Sequence, residues 1–173
     1  MTTRSRAIAA FILGMCLALA SAHAQNPSAA STIQKEALMT KHASGPFDVK
    51  VGPLSAYNQD DKAVGRFSLD KQLHGELEGT SKGEMLAYGT GAKGTSGGYV
   101  AIEKVTGTLN GRSGSFVLQH NTTMTRGTPD MSVTVVPDSG TGELTGLAGK
   151  MNMVTASDGK HSYEFDYTLP ETH

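Results

Sequence analysis

Apolar and polar side chains alternate with a period of two through most of the chain after position 45, and this restricts the fold more than any other feature. Phe47, Val49 and Val51 alternate with Asp48 and Lys50. Phe67 and Leu69 alternate with Ser68 and Asp70, and Leu73 and Leu77 keep the same parity. Met131, Val133 and Val135 alternate with Ser132 and Thr134, and Tyr163, Phe165, Tyr167 and Leu169 with Ser162, Glu164, Asp166 and Thr168. Successive side chains of an extended strand point to opposite faces, so the pattern predicts strands with one face on a core and one in water. No window after position 45 carries a convincing 3.6-residue period.

A repeat marks where the strands turn. Gly75–Gly79, Gly107–Gly111 and Gly142–Gly146 all fit G-x-L-x-G, with starts 32 and 35 residues apart. That interval equals about two strands and two turns, and each copy reads as the tip of a long hairpin. With the segments at Phe47 and Tyr163, the expected strands are eight: 45–51, 66–76, 82–90, 98–109, 113–125, 130–139, 150–156 and 161–169. The expected fold is all-β with almost no helix: a closed eight-stranded antiparallel up-and-down barrel over 45–170, since closure removes exposed edges. A two-sheet sandwich is the runner-up.

Residues 1–24 read as an export signal. Arg4 and Arg6 precede an apolar run from Ile8 to Ala20, and Ala22-His23-Ala24 provides a small-x-small cleavage pattern. The run is too short to span a membrane. Cys16 lies within it, but Met15 stands where a lipoprotein box requires a small residue. Cleavage after Ala24 leaves 149 residues with 13 basic and 16 acidic side chains, a formal charge of −3 and no cysteine. A periplasmic or secreted product follows, without membrane insertion after cleavage. Residues 25–44, rich in Ala, Ser and Thr, read as a linker or short helix.

The whole chain carries 15 Lys and Arg against 16 Asp and Glu, with no basic stripe, which argues against a nucleic-acid partner. A single cysteine excludes a disulfide framework and multi-thiolate metal sites. Nothing calls for a cofactor. Several signatures match by letter and fail by context. Gly89–Gly94 satisfies G-x-G-x-x-G and Gly94–Gly98 satisfies G-x-S-x-G, but both chemistries need a following helix where a strand is expected. Asp138-Ser139-Gly140 resembles an aspartic-protease triplet but follows Pro137 in a turn. Asn121-Thr122-Thr123 is a literal glycosylation sequon.

Parity points to a candidate site. A two- or four-residue loop at Asn110-Gly111 places odd positions of 98–109 on the face of even positions of 113–125. Tyr99, Glu103, Phe116, Leu118 and His120 then share the inner face. Glu103 lies opposite Leu118 in the first register and opposite His120 in the second. Burying an unpaired carboxylate is costly, so Glu103 must be paired, hydrated or protonated. Three readings stay open: a structural Glu–His pair, a polar contact for a ligand in a lumen, or, with a three-residue loop and a bulge, a register that turns Glu103 to water. His161, in the parity of Tyr163 and Phe165, is expected at a barrel mouth. His74 is expected to face solvent, and His42 to lie in a tail. Glu103, His120 and His161 would bind a metal only by converging, and no close-spaced motif supports that, so no metal site is assigned. Val100, Ile102 and Val117 have outward parity, and such a patch suits either a homo-oligomer interface or scattered surface residues.

The segment Tyr99–His120 resembles the bacterial domain-of-unknown-function family 3224, as do Gly83–Tyr88, Val135–Leu147 and His161–Leu169. The resemblance covers most of residues 44–169 in order. It implies an allene-oxide-cyclase-like eight-stranded barrel, often oligomeric, with a cavity. It implies no cyclase activity and carries no assigned catalytic residue. The export signal departs from the many relatives without one.

The expected function is therefore that of an exported barrel holding a small apolar or carbonyl-bearing molecule, with Glu103, His120, Phe116, Leu118, Tyr99 and His161 as lumen candidates. The alternatives are an isomerase or cyclase using a buried Glu/His pair, and a filled barrel acting through its surface.

Overall fold

The computed structural model describes residues 38–57, 63–89, 92 and 94–171. The proposed export signal and residues 25–37 of the proposed linker lie outside them. Among the described residues there is no helix. The strands are β1 (Lys41–Leu54), β2 (Val64–Leu73), β3 (Leu77–Tyr88), β4 (Gly97–Leu109), β5 (Arg112–Thr125), β6 (Thr128–Val135), β7 (Thr141–Gly142), β8 (Ala148–Thr155) and β9 (His161–Thr168).

Eight of them close an antiparallel barrel in chain order, with β9 pairing back onto β1 and the two-residue β7 added beside β5. The seams are unequal. β4 and β5 pair along their whole length, from Gly97↔Met124 to Leu109↔Arg112. β6 and β8 share only Val133↔Met151 and Thr134↔Lys150.

Of three differences from the expected strands, the first two have one physical origin. β1 starts at Lys41, pairing with β9 before it meets β2, because Ala43 and Gly45 point inward and are too small to announce a strand. Its residues Lys41–Ser44 thus belong to the barrel, not to a linker. β3 starts at Leu77 rather than 82 for the same reason, with Gly79 and Gly83 in inward positions. β6 ends at Val135, before Pro137, and the chain then loops through β7.

The three G-x-L-x-G copies gather at one end of the barrel. Two follow the hairpin-tip expectation, at the β2–β3 and β4–β5 turns; the third lies in the loop between β6 and β8. Their leucines, Leu77, Leu109 and Leu144, are fully buried and plug that end together with Leu73, Phe116, Tyr163 and Phe165. The Phe116 and Phe165 rings stack at 5.9 Å. The Tyr163 hydroxyl ties the plug to the β2–β3 turn, accepting from the Leu77 N–H at 2.8 Å and donating to the His74 carbonyl at 2.9 Å. His74 itself is partly exposed beside Glu78.

His42 is not in a tail. It lies on the outer face of β1, where its ring nitrogens meet Asp166 and Glu164 of β9, each at 2.7 Å.

Two predictions follow from this packing. Tyr163→Phe leaves the Leu77 N–H without its partner and is expected to cost about 1–3 kcal/mol in chemical denaturation. The hydrogen bonds to Asp166 and then Glu164 raise the His42 pKa above 6.5. The stability this contributes is complete below pH 6.5 and is lost as pH rises through the folded pKa. An imidazole titration by NMR should place its midpoint above 6.5, and Asp166→Asn should move it down.

Candidate functional site

Four consecutive strands of the barrel bring one inward side chain each to a common point: Lys71 from β2, Ser81 from β3, Glu103 from β4 and His120 from β5. The Asn110-Gly111 turn sets the register. Both residues have positive φ, 45° and 83°, as a two-residue type I′ hairpin requires. Glu103 therefore faces Leu118, and His120 faces Ala101 one step nearer the mouth. On the other side Glu103 faces Gly83, where a Cβ would lie 2.5 Å from the Glu103 Cβ. A larger residue there would displace the carboxylate.

Glu103 is 1% exposed and fully partnered. One oxygen, Oε1, accepts from Lys71 Nζ at 2.7 Å and from His120 Nε2 at 2.9 Å. The other, Oε2, accepts from Ser81 Oγ at 2.8 Å. Burial pushes the carboxyl upward in pKa, but the His120 hydrogen bond and the Lys71 charge outweigh it and hold the group at about 2. The carboxylate is thus ionised and only accepts, so His120 Nε2 carries the shared proton. In the neutral imidazole Nδ1 is then an acceptor, and it has no hydrogen-bond partner among the described residues. Lys71 also approaches Met153 Sδ at 3.6 Å and lies over the Phe47 ring at 5.5 Å.

Beside this cluster the lumen is open. A cavity of about 220 Å³ is lined by Lys71, His120, Tyr99 and His161 among apolar Phe47, Val49 and Leu69 and the methionines Met85, Met131 and Met153. Tyr99 donates its hydroxyl to Met131 Sδ at 3.4 Å. His161 stacks on Phe47 at 5.2 Å and bonds Thr155 Oγ1 at 3.0 Å. Glu103 lies behind Lys71 and His120 and holds both in place. Phe116 and Leu118 belong to the plugged end and do not line the cavity.

Sequence reasoning missed Lys71 and Ser81. Lys71 carried a usable signal, since it shares the parity of Leu69 and Leu73. Ser81 fell just outside a strand expected to start at 82. The wider motifs take structural roles. The Gly89–Gly98 segment runs into β4 at Gly97, and Ser96 Oγ accepts the Arg126 N–H at 3.0 Å. Ser139 Oγ donates to the Val136 carbonyl and accepts from the Val117 N–H, closing a turn. Among the described residues no three His, Cys, Asp or Glu side chains gather as a metal site. On the outer wall Leu86, Val100 and Ile102 are each about half exposed beside a groove of about 600 Å³, while Val117 is half-buried.

The closed barrel and its inner polar cluster define a lumen-bearing β-barrel protein. Residues 43–167 match the family model described as protein of unknown function, DUF3224. The chain belongs to that family. It is similar to a solved structure of a DUF3224 protein of unknown function from Shewanella oneidensis MR-1: 48% identity, a TM-score of 0.70, 78% of this chain and 100% of the other. No curated protein matches it.

Breaking a buried ion pair from one side strands the other charge and typically costs about 3–5 kcal/mol. Glu103→Gln should lose stability in that range, and Lys71→Met/Glu103→Gln should recover most of it. The folded pKa of Glu103 is depressed from 4.5. The stability it contributes is therefore full above pH 4.5 and lost as pH falls toward 2, so acid unfolding of Glu103→Gln should be shallower than that of the wild type.

Proposed function

We propose that this protein is an exported binder that holds a small uncharged carbonyl-bearing molecule in the open half of its barrel. The observation that carries this reading is the Lys71–Glu103–His120 cluster beside an otherwise apolar cavity. Lys71 and Glu103 cancel in charge, so a charged guest would enter a low-dielectric site without a counter-ion. A neutral carbonyl meets a remaining ammonium hydrogen of Lys71. A neighbouring hydroxyl or amide hydrogen meets His120 Nδ1. Export is supported by the cleavable-signal pattern of residues 1–24.

Native mass spectrometry of the protein purified from its host should show a co-purifying small molecule. Lys71→Met/Glu103→Gln removes both charges together and should weaken its binding roughly 10- to 100-fold, the range for a hydrogen bond to a charged group. An empty lumen, or unchanged affinity in the double variant, would overturn the reading.

One observation favours a second reading, an isomerase. A carboxylate holds His120 through Nε2, and the imidazole lines the cavity, the arrangement of an oriented general base. Deuterium exchange at the carbon next to the bound carbonyl, lost in His120→Gln with binding kept, would mark that chemistry. Binding without exchange leaves the protein a binder.

A further inference from the structure

We infer that the lumen site continues past Met85 and Tyr99 into a second chamber at the barrel mouth, so that its ligand is elongated. An uncharged polar head lies at Lys71 and His120, and an apolar body carrying one hydrogen-bonding group fills the second chamber. The inference rests on the lumen-binding reading and deepens it.

The two cavities share a wall. Met85 and Tyr99 line both the 220 Å³ cavity in the lumen and a second one of about 390 Å³. The second is walled by Phe67, Ala87 and Met124 and by residues 94–98 where β3 hands over to β4. Size permits joint use: ligand sites commonly measure about 300–1,000 Å³, a range that the lumen cavity alone does not reach and that the second chamber, alone or with it, does. The partition between them is soft. Met85 is an unbranched side chain that repacks readily, and the Tyr99 hydroxyl is held by a sulfur, a weak acceptor.

Thr122 supplies an independent observation. It faces Tyr99 across the β4–β5 pair and lines the second chamber. It is 6% exposed, and its Oγ1 is buried with no hydrogen-bond partner. Such a hydroxyl costs stability unless something bonds it; closed off where it stands, it meets a ligand by turning about χ1 toward the chamber that its residue lines. The residue thus points to a polar substituent part-way along the ligand body.

Calorimetric titration of the full chain with butanamide, decanamide and 6-oxodecanamide separates the claims. Butanamide reports on the head site alone. Decanamide should bind at least about a hundredfold tighter, since each buried methylene is worth about fourfold in affinity. Ala87→Trp, which fills the second chamber, should abolish most of that gain and leave butanamide unchanged. 6-Oxodecanamide should gain a further five- to tenfold, lost in Thr122→Val, a variant that should also raise the thermal midpoint of the unliganded chain. If butanamide binds and decanamide gains nothing, the second chamber is refuted and the lumen reading survives. If no amide binds, both fall.

Discussion

A carboxylate removed from water has to be compensated where it stands, and the compensation of Glu103 organises the middle of this barrel. Its two oxygens take three hydrogen bonds from three other strands. Any slip of β2, β3 or β5 by one residue would turn a partner outward and leave the charge bare. The cluster therefore acts as a register lock as well as a polar surface. It explains why four strands, and not only the β4–β5 hairpin, must agree on their alignment.

Above and below that lock the barrel does two different jobs. Towards the glycine-leucine turns the interior is filled with leucines and stacked aromatic rings at zero or near-zero exposure. Towards the mouth the inward residues leave a cavity, lined by methionines, a tyrosine, two histidines and a lysine among a few apolar side chains. Rigidity is concentrated where nothing needs to enter. Adaptable side chains are concentrated where space remains.

The sequence disclosed the barrel because alternation and turn chemistry are local and strong. The Asn110-Gly111 pair limited the β4–β5 register to two choices, and the positive φ values select the two-residue loop. The strand ends at Lys41 and Leu77 were hidden because alanine and glycine at inward positions give no hydropathy signal. The Glu103–His120 contact followed from parity, whereas Lys71 required asking whether a charged residue in an apolar row points in with its neighbours. Ser81 and Thr122 were beyond reach: a small polar side chain reads alike whether it faces water, a carboxylate or a cavity.

The sparse joint between β6 and β8 has a mechanical consequence. Only two residue pairs hold that part of the wall, and nearer the mouth it is bordered by the inward methionines Met131 and Met153 rather than by a hydrogen-bonded ladder. Backbone amides there lack the cooperative protection enjoyed along β3, β4 and β5. Solvent exchange will therefore begin at this joint, and the barrel will breathe sideways, like a stave loosening in a cask, before either of its ends gives way.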